Sequence, residues 1–130
     1  MSCINALGFD QQGPHELAVA QGSAGEQAAA LLPADTVTAA FHHLSAPSLA
    51  NLDEDLSGED VLVCGDDATA RTRVIELAGA VTGRRGVDIG ALRQARVFEP
   101  FMSVLIAVNK RYRTRAGVLL THVDVTRAAS

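Results

Sequence analysis

Apolar residues along this chain come in short runs, separated by stretches rich in glycine, proline and acids, and the period changes from one run to the next. Cys3, Ile4 and Leu7 give the first seven residues the pattern of the end of a strand. Gly8 to Gly22 shows no period, carries Gly13-Pro14 and many polar residues, and is expected to be an irregular loop. Ser23 with Glu26 three residues on is a capping box; it predicts a helix through Leu32 that Pro33 stops. Thr36 to Phe41 is short and β-rich, so a strand is predicted. Pro47 to Leu52 can close one helical turn before the acidic loop Asp53 to Asp60.

The second half is patterned more strongly. Val61-Leu62-Val63-Cys64 is a continuous apolar run, the mark of a strand buried on both faces. Gly65-Asp66-Asp67 turns the chain into a helix with Asp66 or Asp67 as N-cap, and Val74, Leu77, Ala78 and Val81 fall at helical spacing on it. Arg84 to Ile89 is a third strand candidate. Gly90 leads into a long helix from about Leu92 to Tyr112, whose broad apolar face carries Val97, Phe98, Phe101, Met102, Leu105, Val108, Asn109 and Tyr112. Val118 to Val123 reads as a last strand, and residues 126–130 as a disordered tail. Strands alternating with helices predict an α/β fold with at least part of its sheet parallel.

A chain of 130 residues fits one domain, and with 4% aromatic residues its interior must be built from Leu, Val, Ile and Ala. Uninterrupted apolar stretches such as Val104 to Val108 are too short to span a bilayer. Met1-Ser2-Cys3-Ile4-Asn5 has neither a basic region nor a long apolar core, so no signal peptide is expected and the protein is read as soluble and cytoplasmic. Cys3 and Cys64 form no disulfide framework and no metal-ligand spacing; both are expected as small buried or half-buried apolar groups. His42 and His43 are adjacent and point apart in any regular structure, so no metal is expected.

Charge is divided along the chain. Residues 1–70 hold eleven Asp and Glu and no Lys or Arg, a formal −11, and residues 71–130 hold all eleven Lys and Arg against Glu76, Asp88, Glu99 and Asp124, a formal +7, which together give the net −4. Such polarity steers an anionic ligand to one side, or serves only to attract one half to the other. The acidic balance, and the lack of aromatics among the arginines, speak against a nucleic-acid partner. The eleven glycines never give G-x-G-x-x-G or a P-loop spacing; Gly22-Ser23-Ala24-Gly25 comes nearest and looks like a helix start.

Three segments resemble the NADPH-dependent reductases of coenzyme F-420, a deazaflavin, and the actinobacterial type in particular. They are Cys3-Ile4-Asn5-Ala6-Leu7-Gly8-Phe9-Asp10; Gly22 to Ala29 running on through Ala40-Phe41-His42-His43-Leu44-Ser45-Ala46, Asn51 to Glu54 and Val63 to Asp67; and Val87-Asp88, Ala95 to Glu99, Val108 to Tyr112 and Ala116-Gly117. The resemblance implies that only the C-terminal part of the family is present. It implies a truncated or mis-started chain that lacks the Gly-rich Rossmann segment, with residues 1–52 a remnant of the dinucleotide-binding domain and 53–125 a small α/β domain on the deazaflavin side. It further implies an oxidoreductase fragment for hydride transfer between NADP(H) and coenzyme F-420, inactive alone, with no catalytic side chain and no metal.

Cofactor-binding positions implied by the resemblance are Asn5, Leu7, His42, Leu44, Arg96, Glu99, Pro100 and Met102. His42 would orient a ring, Leu44 would set the ring-to-ring distance, and Arg96 would lie near the deazaflavin. Arg96 and Glu99 share a helix face, so a surface ion pair is the other reading of those two. Pro100 and Met102 depart from the family, which places small hydroxyl residues there, and Pro100 should bend the helix unless it lies in the first turn. Lys110, Arg111, Arg113 and Arg115 would meet the coenzyme's anionic tail, or simply solvate a helix end. Two rivals stand beside this reading: a non-catalytic domain that dimerises through its apolar helix, and an NADP enzyme with another acceptor, such as an imine or a metal chelate. A homodimer is expected, because an apolar helix and open strand edges disfavour a monomer.

Overall fold

The computed structural model of the chain describes residues 1–32 and 36–127. In chain order its elements are β1 (Leu7–Asp10), β2 (Gly13–Glu16), α1 (Ala24–Leu31), β3 (Thr38–Ala39), α2 (Ala46–Ala50), β4 (Leu62–Gly65), α3 (Ala68–Thr82), β5 (Val87–Asp88) and, after a short 3-10 turn at Leu92–Gln94, α4 (Ala95–Tyr112).

The apolar run at 61–64 is the centre of the molecule. β4 pairs antiparallel with β3 (Thr38 opposite Gly65) and parallel with β5 (Leu62 opposite Val87), so the sheet is mixed. Ser2 adds a parallel bridge outside β3, donating its N–H to Thr38 at 2.7 Å and accepting from Ala40 at 3.1 Å. Successive strand residues face opposite sides, and β4 is buried on both. Val61 and Val63 pack with Ala40, Phe41, Leu44, Ile75 and Ala78, while Cys64 packs with Val37, Ala39, Leu92 and Ala95.

Several expectations hold. Ser23 caps α1 by accepting from the Glu26 N–H, and Asp67 caps α3 by accepting from Ala70. Pro33, read as the stop of α1, lies outside the described residues, as do residues 128–130 of the expected tail, whereas Thr126 is held in a turn by Asp124.

Others need correction. The span 8–22 is not irregular throughout: β1 and β2 form an antiparallel hairpin that packs on α4. Its tight turn is made by the Asp10 carboxylate, which accepts from the N–H groups of Gln12 and Gly13, and by Gly13 at φ +116°. Polar turn chemistry, with no apolar alternation, hid the strands. On α3 the inward face is Ile75, Ala78 and Thr82, and Leu77 and Val81 stay nearly half exposed. Thr82 fits inside because its hydroxyl donates to the carbonyls of Ala78 or Arg84, each at 2.9 Å. Val118 to Val123 is no strand. Asp60 ties it down instead, giving its N–H to Val118 and taking the Leu120 N–H on its carboxylate, both at 2.7 Å. Cys3 is exposed and Cys64 buried, so the two cysteines do not share one environment. The broad face of α4 is split, for Leu105 is buried while Val97 and Tyr112 are more than two-thirds exposed.

Candidate functional site

β3 is followed at once by a sharp bend at Phe41, which takes the left-handed conformation (φ +63°). That is a rare conformation for a bulky residue, and it carries His42 and His43 into the interior. The two rings meet edge to face with centroids 5.6 Å apart, and Phe98 of α4 sits edge-on to both, at 4.9 and 4.8 Å. His43 is anchored: its Nε2 donates to the Asp60 carbonyl at 2.7 Å. Asn5 donates its amide to the His42 carbonyl at 2.8 Å, tying the first segment to this bend.

What this corner leaves unanswered is more telling. Both ring nitrogens of His42, Nδ1 of His43 and Oδ1 of Asn5 are buried with no hydrogen-bond partner among the described residues. Each such atom costs on the order of 1–3 kcal/mol. Burial pushes the His42 imidazole down to about 4, and the neighbouring His43 pushes in the same direction. The Ala40 carbonyl opposes this, although it lies outside hydrogen-bond geometry for either nitrogen. His43 is lowered too, first by burial, with the Asp60 contact opposing. At neutral pH both rings are uncharged and can hydrogen-bond but not act as cations. Cys64, pushed up to about 11 by burial, is no nucleophile.

A second polar group joins α4 to the start of α1. Glu99 is almost fully buried and accepts from the N–H groups of Ala24 (2.8 Å) and Gly25 (2.9 Å). This carboxylate satisfies two of the donors that a helix N-terminus leaves open. Arg96 is exposed and donates through Nε to both oxygens of Glu26, at 3.0 and 2.8 Å. The expected alternative of an Arg96–Glu99 surface pair is therefore not found: each residue reaches α1 separately.

The remaining sequence-predicted positions are more dispersed. Leu44 is part of the core beside Val61 and Ile75, and Leu7 is half-buried in β1. Pro100 lies inside α4 beyond its first turn, where it leaves the Arg96 carbonyl without its helical donor. Pro100 and Met102 are both half-buried and carry no side-chain donor. Lys110 begins the basic cluster ~21 Å along the helix from Arg96 (1.5 Å per residue), and Arg115 is engaged with Glu54 at 3.1 Å. Sequence reasoning missed Phe98 as the lid over both imidazoles and Glu26 as the Arg96 partner. The Ser23–Glu26 spacing signalled a cap, but nothing local signals a bond across 70 residues. Among the described residues no group of three or more His, Cys, Asp or Glu could hold a metal ion, and no helix is long and apolar enough to cross a membrane.

Fold and geometry define a small mixed α/β domain whose polar corner can hydrogen-bond and orient a ligand. By sequence the chain is related to the F420-dependent NADP reductases and matches their C-terminal part. It is 32% identical over 105 residues to the enzyme of that name from Methanocaldococcus jannaschii, covering 80% of this chain and 47% of the relative. It is 37% identical over 106 residues to that of Methanothermobacter thermautotrophicus, covering 79% and 45%. The chain thus spans about half the length of the curated relatives it matches. The fold is also that of a crystal structure described as an F420 dependent NADP-reductase from Arthrobacter sp. FB24, with a TM-score of 0.74 at 23% identity over 89% of this chain and 55% of that one. No family model matches the chain.

Proposed function

We propose that this chain is the deazaflavin-facing half of an oxidoreductase that moves a hydride between NADP(H) and coenzyme F-420. The observation that carries the reading is the match of four-fifths of the chain to relatives named for both coenzymes. The unpaired nitrogens of His42 and the Asn5 oxygen support it, because a flat ring edged with carbonyl and N–H groups would satisfy them. The two coenzymes supply the hydride chemistry, and the residues of this chain bind, orient and exclude water. On this reading His42 and Asn5 hold a ring edge, Arg96 meets a polar or anionic group, and Glu99 fixes the α4 backbone from which Arg96 projects. Leu7 and Leu44 back the site with bulk. Lys110, Arg111 and Arg113 are left for an anionic tail. Pro100 and Met102 fit less well, having no donor to offer, and Phe98 must move for a ring to reach His42.

A fluorescence titration with oxidised coenzyme F-420 tests the reading. The chain is expected to bind saturably, and Arg96→Ala to weaken binding ~10-fold, the equivalent of one charge-assisted contact. A folded chain that does not bind overturns it. A second reading, self-association, is favoured by the apolar stripe Val97, Phe101, Val104 and Tyr112 left exposed on α4. Sedimentation of the wild type and of Val104→Glu measures it: a dimer that the substitution splits supports this homodimer, and a monomeric wild type removes it.

A further inference from the structure

Arg96 is fixed with unusual care for an exposed side chain. Glu26 takes its Nε on both oxygens, and Glu26 is itself steadied by the Ser23 hydroxyl at 2.9 Å. Gly22 forms the floor: it sits at φ +105°, and a Cβ there would run into the Arg96 Nε and the Glu26 carboxylate. Three residues along α4, Glu99 clamps the backbone of the same helix to α1. Of the remaining donors, Nη2 has one long contact to the Gln21 carbonyl at 3.5 Å, and Nη1 bonds nothing among the described residues. The guanidinium is thus held chiefly by its inner nitrogen, and most of its outer donors have no partner among the described residues. An exposed ion pair adds little to stability, typically 0–1 kcal/mol. Orientation is what the arrangement provides, since the rigid fork of an arginine pairs bidentately with a carboxylate, phosphate or paired carbonyls.

We propose that Glu26 is the positioning residue for Arg96, holding Nε so that the two Nη groups face outward to receive an anionic or carbonyl-bearing edge of the coenzyme. The inference rests on the coenzyme reading above and adds to it a residue that would reach the coenzyme only through Arg96. A double-substitution cycle tests it, with dissociation constants for oxidised coenzyme F-420 measured on the wild-type chain, Glu26→Ala, Arg96→Ala and the double variant. Glu26→Ala should weaken binding ~5-fold when Arg96 is present and leave it unchanged when Arg96 is already alanine, because the effect passes through the arginine. Glu26→Gln keeps one acceptor and part of the cap; it should lose less, and it stands in if the alanine variant does not fold. An unchanged constant in Glu26→Ala, or the same loss in both backgrounds, overturns the proposal while leaving the coenzyme reading intact. If the wild type does not bind, or Arg96→Ala binds equally well, the coenzyme role of Arg96 fails and the proposal falls with it.

Discussion

Glu99 and His42 are both buried polar side chains, one on α4 and one in the bend that follows β3, and the chain answers them differently. Each Glu99 oxygen receives a backbone N–H from the first turn of α1, while neither His42 nitrogen has a hydrogen-bond partner among the described residues. The contrast follows from charge. An unpaired buried carboxylate costs several kcal/mol, so a fold that buries one must bring its partners with it. A neutral imidazole left unanswered costs less than an unpaired charge and can be kept open for a ligand. The charged group of this pair is therefore satisfied framework and the neutral one is left open.

The sharpest way to break that comparison is to remove the framework charge. Glu99→Leu should destabilise the chain by about 3–5 kcal/mol, because Ala24 and Gly25 lose their acceptor in a buried place. Denaturant unfolding measures this, and a loss below about 1 kcal/mol would make Glu99 no framework at all. Acid should expose the other member. His42 sits at about 4 in the folded chain against 6.5 as its ordinary value, so the unfolded chain takes up the proton first as pH falls. Stability should drop between pH 6.5 and 4, by at most ~3 kcal/mol from this group, and His42→Leu should flatten that part of the curve. Unfolding free energies at several pH values decide it, and equal slopes in both chains would refute the assignment.

A smaller effect is expected from opening the lid. Phe98→Ala should cost about 2–3 kcal/mol, less than a full core deletion because the ring is only half-buried. It should also make His42 reactive toward an imidazole-acylating reagent, followed by mass spectrometry; no gain in labelling would mean that something else shields the ring. Least of all, Ser23→Ala should lose about 1 kcal/mol through the cap of α1. Thermal melting checks this, and a loss as large as that of Glu99→Leu would place the α1 anchor at the cap and not at Glu99.

Local rules recovered what local chemistry determines. The caps at Ser23 and Asp67, the doubly buried run at 61–64 and the long helix through Tyr112 were all legible, because each depends on residues within one turn or one strand. The hairpin at 7–16 was not legible, since its turn rests on one aspartate and its strands bury little. The segment 118–123 has strand-like residues but takes its bonds from the Asp60 side chain and backbone, a partner some 60 residues earlier. At the site, the resemblance singled out Asn5, His42, Arg96 and Glu99, and the Asn5–His42 bond joins two of them directly. It did not tell Glu99, which is fully occupied, from His42, which is not.

By itself, the sequence determined the helix caps at Ser23 and Asp67, the doubly buried run at 61–64 and the long helix through Tyr112, because propensity, capping and periodicity act over a few residues. Tertiary structure decided which polar groups find partners. Whether Glu26 completes its own cap or steadies Arg96, and whether a buried histidine is satisfied or left open, depends on bonds that span 17 to 75 residues. Such bonds are formed by packing, and no pattern along the chain encodes them.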